Sequence, residues 1–577
     1  MKFVNISNQL ECIFSRSIDK IFGNIKTKAE ITQSKNKQLC DYQCNSALKI
    51  ASIVDDNPLN IAKKIISQIE DPNNLLSQID AISPGFINIT LNKETLAAEL
   101  VSILKDDRLG VPQLIKKLNV VCEFSSPNIA KAMHVGHLRS SIIGDTIANL
   151  MEFLGHNVIR LNHIGDWGTQ FGMLINYIKI YHSEVIESSQ EADLEQLMEW
   201  YKKSKAEFDQ SPLFKKRSQE EVVKLQNGDK ESKKVWERIC EISRRAFQEI
   251  YDLLDIHLIE RGESFYNPYL SQVIDDFESK KILKIDGGAK CVFLDGFKNK
   301  EGEDLPLIIQ KSDGGYNYNT TDLAGFKYRI EQDKADRIII VTDIGQATHF
   351  QMCYQACLKV GYIDPSKVRF DHVPFGLVLT PDGKKFKTRE GETERLIDLI
   401  NEAIISGKEL LRERDVKNLD DAARILGIGA VKYADLSCNR VKDYTFSYER
   451  MLKFEGNTAA YILYSFVRVE SIKRKIGVDV NLLIESEKIA LIHPSEIALG
   501  LHLRRFGESL AFMDEELLPN RLTDYLFHLA EKFHVFFRDC HVDGTKEQNS
   551  RLLLCELTGR IIKKGLNILG IKTMDKM

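Results

Sequence analysis

The chain has 577 residues, 43% of them hydrophobic and 28% charged, too long for one hydrophobic core and too apolar for general disorder, so several domains are expected. With 79 Lys and Arg against 83 Asp and Glu, the formal net charge is -4, which excludes a polycation and leaves any nucleic-acid partner to a local basic surface. Eleven cysteines without a repeated framework, and a start "MKFVNISNQL" with no apolar stretch behind it, predict a reduced cytoplasmic protein. No run of about 18 apolar residues predicts a membrane span.

Residues 1–115 mix helical periodicity, as in "ALKIASIVDDNPLNIAKKIISQI", with a turn-bounded strand "GFINIT" at 85–90, the pattern of a small α+β domain. A second unit, 116–419, opens with the apolar strand "NVVCEF" at 119–124. Leu138, Ile142, Ile147, Leu150 and Leu154 then fall near helical spacing, with Gly155 as a C-terminal stop, and "NVIRLNHI" follows as a second strand. Strand, loop, helix and strand make a βαβ unit with parallel strands. A mixed insertion is expected at about 190–307, charged and helical first and then rich in strand and glycine-turn signals. "ADRIIIVTDIGQ" and "VRFDHVPFGLVL" restore the strand-to-loop pattern, and 420–577 is almost wholly helical, the pattern of a bundle. The fold class is therefore α/β: a Rossmann-like parallel-sheet domain with insertions, between a small α+β domain and a helical bundle.

The stretch "FSSPNIAKAMHVGHLR" occupies the loop between the first strand and its helix, at the carboxyl edge of the sheet. His134, Gly136 and His137 then stand at a helix N-terminus, where imidazole donors can meet phosphate oxygens. Gly136 leaves room for a base or ribose; the bland alternative is two solvent-facing histidines. "TPDGKKFKTREGE" places Lys384, Lys385, Lys387 and Arg389 in a glycine-flanked loop able to close over phosphates, or else on a solvated face. In "YNYNTTDLAGFKYR", Tyr318 and Asp322 are four apart, and either a helix start or a bent strand end would aim both inward. Glu123 and Asp322 are then two carboxylates for a cationic substrate, best a planar guanidinium. Glu123 can equally be a salt-bridged structural acid. Cys40 with Cys44, and Cys353 with Cys357, have helical i, i+4 spacing, but no further ligands complete a metal site, so no structural metal is expected.

These motifs, together with "NHIGDWGTQFG", "VTDIGQATHF", "GKKFKTREGETERL" and "AVKYADLSCNRVKDYTFSYERMLKFEGNTAAYILY", resemble the arginyl-tRNA synthetases over essentially the whole chain. The resemblance implies a class I catalytic domain between an N-terminal tRNA-binding domain and a helical anticodon-binding domain. It implies ATP and L-arginine as substrates, substrate-bound Mg2+, tRNA(Arg) as partner, a monomer, and bound tRNA as a requirement for activation. His134 and His137 correspond to the HIGH histidines and, with Gly136 and Lys385, to the ATP site. Ser126, Pro127, Asn128, His137, Tyr318, Asp322, Gln346 and Glu123 correspond to arginine-site positions. Phe446, Arg450, Lys453 and Asn457 lie where tRNA contacts are implied. The KMSKS loop departs from its usual form: Lys385 stands, but Lys387 takes the place of its serine and the second lysine position holds Thr388, with Arg389 following. Lys131, upstream of HIGH, matches the lysine by which such family members compensate. Three rivals remain: a nucleotidyltransferase acting without RNA, a catalytically inactive RNA-binding relative, and another class I synthetase, from which the acidic pair discriminates.

Overall fold

The computed structural model describes residues 6–23, 25, 27–34, 40–114, 116–187, 192–380, 382–384, 395–414 and 416–577. Near the N-terminus, β1 (Ile31–Gln33), β2 (Tyr42–Cys44), β3 (Leu76–Ile82) and β4 (Phe86–Leu91) form an antiparallel sheet in the order β1-β2-β4-β3. β4 is the strand expected at 85–90. Its Ile87, Ile89 and Leu91 are buried with Leu10, Phe14, Ile61 and Ile65 from flanking helices, giving this unit a core of its own. The unit also leans on the C-terminal helices, through Ile6 N–H donating to Glu508 and through Leu501 at the edge of its core.

Five parallel strands carry the central layer: β5 (Asn119–Glu123), β6 (Asn157–Asn162), β7 (Ile259–Glu260), β11 (Arg337–Asp343) and β12 (Arg369–Phe375), in the order β12-β11-β5-β6-β7. Between them in sequence, β8 (Lys284–Asp286), β9 (Ala289–Lys298) and β10 (Asp304–Gln310) make a small antiparallel sheet. A strand covered on both faces needs no polar alternation, which is why Ile338, Ile339, Ile340 and Val341 of β11 form one buried run. The chain leaves β5 towards β6 on one side and returns through β11 on the other, so the carboxyl ends of β5 and β11 flank a topological switch point. Open parallel sheets hold their ligands at such a crevice.

Helix α1 (Val135–Leu154) crosses from β5 to β6 and stops at Gly155, whose φ of 106° suits glycine. The five expected apolar positions of α1 are all buried, but so are Ser140, Ser141, Ile143, Thr146 and Met151. The helix is enclosed because the sheet covers one side and the C-terminal helices cover the other. At its middle, a Cβ on Gly144 would lie 2.2 Å from the Phe124 ring, so this glycine sets how closely α1 approaches the end of β5. The charged stretch of the insertion is helical as expected and ends in α2 (Lys230–Leu254).

α3 (Tyr318–Glu331) and α4 (Ala347–Val360) flank β11 in sequence, and α5 (Leu419–Leu436) begins the C-terminal helices. One short strand interrupts that helical region: β13 (Val378–Leu379) pairs in parallel with β14 (Tyr444–Thr445). This pair ties the segment just before the basic loop to the bundle. Among the described residues no helix is long and apolar enough to cross a membrane.

Candidate active site

The loop after β5 is strained and heavily braced. Ser125, Ser126 and Ala130 have φ of 71°, 48° and 61°, a left-handed conformation that costs a non-glycine residue energy and persists where neighbours hold it. Ser140 Oγ accepts from Ser125 N–H, Asn162 Oδ1 from Ser126 N–H at 3.0 Å, and Ser243 Oγ from Ala130 N–H at 3.0 Å. Asn128 bridges to Gly165, where a Cβ would meet the Asn128 amide oxygen at 2.1 Å. Pro127 is buried, Asn128 is exposed, and the buried Ser126 Oγ has no hydrogen-bond partner among the described residues.

His134 is the N-cap of α1 and His137 its third residue, and together they form a capping box. His134 Nδ1 accepts from Gly136 N–H at 3.0 Å, and His137 Nδ1 accepts from His134 N–H at 3.1 Å. An Nδ1 that accepts carries no proton, so each neutral ring holds its proton on Nε2. Burial and Lys131 hold His134 below the usual imidazole range; burial, His134 and Lys131 push His137 down to about 3. Both rings are therefore neutral Nε2–H donors at pH 7, with centroids 4.1 Å apart. Gly136 has a structural reason of its own, since a Cβ there would sit 2.9 Å from the His134 ring.

Of the two alternatives for Tyr318 and Asp322, the structure takes the helix start. Asn317 caps α3 by accepting from Asn319 and Thr320 N–H, placing Tyr318 at the first position and Asp322 one turn later. Asp322 is 15% exposed; its Oδ2 lies 2.6 Å from His349 Nε2 and its Oδ1 3.9 Å from His163 Nε2. Burial opposes the charge, but His349, His163 and Arg329 hold this carboxyl below the usual range. Tyr318 is exposed, with its ring edge-on to His349, and Gln346 is exposed at the end of the turn after β11.

Glu123 stands differently from the pair of open carboxylates expected. It is buried and ion-paired with Arg329 of α3, so its charge is already met inside the protein. The second acid near Asp322 is instead Glu263, which the sequence did not single out. Burial, with the charges of Asp322 and Asp166, pushes its carboxyl up to about 8. The carboxyl edge of the sheet thus carries two neutral donors at the start of α1 and an acidic group around Asp322 between α3 and α4.

The chain matches the family model for the class I (R) tRNA synthetase catalytic domain over 99–448. It also matches the DALR anticodon binding domain over 462–577 and the arginyl tRNA synthetase N terminal domain over 8–91. It is 54% identical over 552 residues to the arginine–tRNA ligase of Protochlamydia amoebophila, covering 95% of this chain and 94% of that protein. The chain belongs to the arginyl-tRNA synthetase family. The Chlamydia abortus arginine–tRNA ligase is 49% identical over 579 residues, covering 100% of both chains. The arginyl-tRNA synthetase structure from Plasmodium falciparum superposes with a TM-score of 0.87 at 36% identity, covering 99% of each chain. That from Thermus thermophilus, at 21% identity and a TM-score of 0.79, shares the fold over 99% of this chain and 100% of the other.

Against this family background the remaining candidates fall unevenly. Lys385, Lys387 and Arg389 lie outside the described residues. The segment that follows them returns beside the histidines, where Leu396 N–H donates to Met133 O at 3.0 Å. Lys131 is exposed and close enough to act on both imidazoles. Among the expected tRNA contacts, Arg450 and Lys453 are exposed, Lys453 being 3.5 Å from Glu449. Phe446 could either stack on a base or pack the bundle, and its ring is 2% exposed and packs in the core. Asn457 is held by the Tyr433 hydroxyl at 2.7 Å and by Asp524 at 3.2 Å. His163 and His349 were missed because only the folded crevice gathers them around Asp322.

Proposed function

We propose that this chain activates L-arginine with ATP to arginyl-adenylate and pyrophosphate and then charges the terminal adenosine of tRNA(Arg), with the work divided among the residues above. The observation that carries this reading is the pair of neutral imidazoles at the mouth of α1, on the same sheet edge as the acidic group around Asp322, within an arginyl-tRNA synthetase fold. The arginine carboxylate attacks the α-phosphorus in line, and the bond to pyrophosphate breaks. The attacking group is already anionic and needs no general base, so alignment and charge stabilisation do the catalysis. His134 and His137 donate from Nε2 to phosphate oxygens. Lys131, Lys385, Lys387 and Arg389 share the charge of the leaving pyrophosphate, and Mg2+ enters with ATP as part of the substrate.

Asp322 accepts the guanidinium, held in place by His349, with Tyr318 and Gln346 at the rim and Ser126 and Asn128 towards the amino-acid end. Glu123 acts behind the pocket through Arg329. Replacing Asp322 with Asn is expected to weaken arginine binding by about 1.5–3 kcal/mol, the range for a hydrogen bond to a charged group. Titration calorimetry reads this directly, and unchanged affinity removes Asp322 from the pocket. Because Glu263 is protonated in the empty pocket at pH 7, an arriving guanidinium is expected to expel its proton. Calorimetry in two buffers of different ionisation heat measures that release, and identical heats exclude Glu263.

Arg450 and Lys453 supply phosphate contacts to tRNA, which makes binding weaken with salt. A cytoplasmic monomer completes this reading, the eleven cysteines without a repeated framework fitting a reducing compartment; size-exclusion chromatography with light scattering tests the monomer. Charging assays with each amino acid and total tRNA test the whole reading; arginine alone should be transferred.

A further inference from the structure

His349 and Cys353 stand four apart on α4 and so share a face, and that face turns towards Asp322 of α3. The sequence paired Cys353 with Cys357, whereas the fold brings it His349 and Asp322. One carboxylate oxygen, one imidazole nitrogen and one thiol sulfur lie within 4.8 Å of one another. His349 Nε2 is 2.6 Å from Asp322 Oδ2 and 3.7 Å from Cys353 Sγ. The arginine chemistry above uses Asp322 and its hydrogen bond from His349, but it gives the buried thiol no task.

We propose that Asp322, His349 and Cys353 form a binding site for a thiophilic divalent cation of the Zn2+ type, and that this cation closes the arginine pocket. The inference rests on the reading of Asp322 as the guanidinium acceptor. A mixed oxygen, nitrogen and sulfur set disfavours Mg2+ and Ca2+ and suits Zn2+. From ordinary zinc bond lengths, a tetrahedral ion holds oxygen and nitrogen ligands about 3.4 Å apart and nitrogen and sulfur about 3.6 Å apart. The nitrogen–sulfur spacing is already met. The oxygen and nitrogen must part by less than an ångström, as the ion replaces the proton they share. The neutral His349 ring shifts its proton from Nε2 to Nδ1 and so stays neutral, while the Cys353 thiol proton leaves to solvent. Two positive charges thus meet one carboxylate and one thiolate, leaving the site without net charge. The fourth position falls to water or to His163, whose ring is 10% exposed and has a buried Nδ1 without a hydrogen-bond partner among the described residues. An occupied site offers a guanidinium neither a free carboxylate nor an attractive field.

The test uses the full-length, chelator-treated enzyme with zinc chloride and with cobalt chloride. Zinc is expected to raise KM for arginine without lowering kcat at saturating arginine. Cobalt is expected to show a thiolate charge-transfer absorption that arginine abolishes. Cys353→Ser should weaken zinc inhibition by more than about tenfold, the low end of what losing even an outer-shell partner of a metal ligand costs, while kcat and KM for arginine without metal stay within about twofold. Zinc inhibition unchanged in Cys353→Ser, or no cobalt–thiolate band, overturns the proposal. The two readings fail separately. If Asp322→Asn weakens arginine binding but no metal binds, only the cation site falls. If the cobalt band appears yet arginine neither displaces the metal nor depends on Asp322, the arginine assignment falls and the closing role with it.

Discussion

Replacing His137 with alanine is expected to lower kcat about a hundred- to thousandfold, equivalent to about 2.7–4 kcal/mol for one preorganised donor, with little change in arginine affinity. In the proposed reaction the ring acts through an Nε2–H that is fixed before ATP arrives, because its Nδ1 is committed to the His134 N–H. Alanine removes the donor and also half of the capping box, so a second substitution separates the two losses. In His137→Gln the side-chain carbonyl can still accept the cap hydrogen bond. That variant should regain stability but only part of the rate. Pyrophosphate exchange and thermal melting together read this, and near-normal turnover in His137→Ala would falsify the assignment.

The pH dependence follows from the same hydrogen bonds. With the His137 pKa down at about 3, its protonation contributes no acid limb to the rate between pH 8 and 5. Stability behaves differently, because the unfolded chain takes up a proton near its ordinary value of about 6.5 and the folded one does not. The contribution of His137 is therefore complete above that value and is lost as pH falls from there towards 3.

Arg139→Met is expected to destabilise the catalytic unit by about 3–5 kcal/mol, the cost of leaving one partner of a buried ion pair alone. Arg139 is fully buried two residues beyond His137. Its Nε donates to Asp435 of α5 at 3.0 Å, its Nη1 donates to Gly376 O and to Lys442 O, and its cation lies over the Tyr444 and Phe375 rings. One guanidinium thus joins the histidine helix, the root of the basic loop and the C-terminal helices. Burial already raises the Asp435 carboxyl in spite of Arg139, and without the arginine it rises further. A buried acid with a raised pKa loses stability as pH climbs above its unfolded value, so the deficit of this variant should grow as pH rises above the ordinary carboxylate range of about 4. Adding Asp435→Leu should restore most of the melting temperature, since both charges are then gone. A deficit independent of pH, or no rescue by the second substitution, would show that the pair does not act as described.

Much of the geometry of the proposed site was legible in the sequence, for reasons that differ by residue. The two histidines could be placed because "HVGH" follows an apolar strand and opens an amphipathic helix, and the local chain then forces both rings to the helix mouth. Tyr318 and Asp322 were legible as a pair four apart, though only the Asn317 cap decided between helix and strand. Glu123 and Phe446 were not, because burial is a property of what packs against a residue. Arg329 comes from 206 positions away to neutralise Glu123, and no local pattern announces it. Glu263 carries no motif of its own, and the motifs that hold His163 and His349 do not mark them as neighbours of Asp322.

The amino-acid sequence by itself determined the order of units, the parallel sheet, the helix that presents the imidazoles and the family, because each depends on local periodicity, turn chemistry or contiguous motifs. Tertiary structure alone decided which acids are open to a substrate, which rings are core, how Arg139 binds α1 to the bundle, and that Cys353 meets His349 and Asp322. Charge neutralisation and burial act through space between segments tens to hundreds of residues apart, and that distance is set only when the chain has closed on itself.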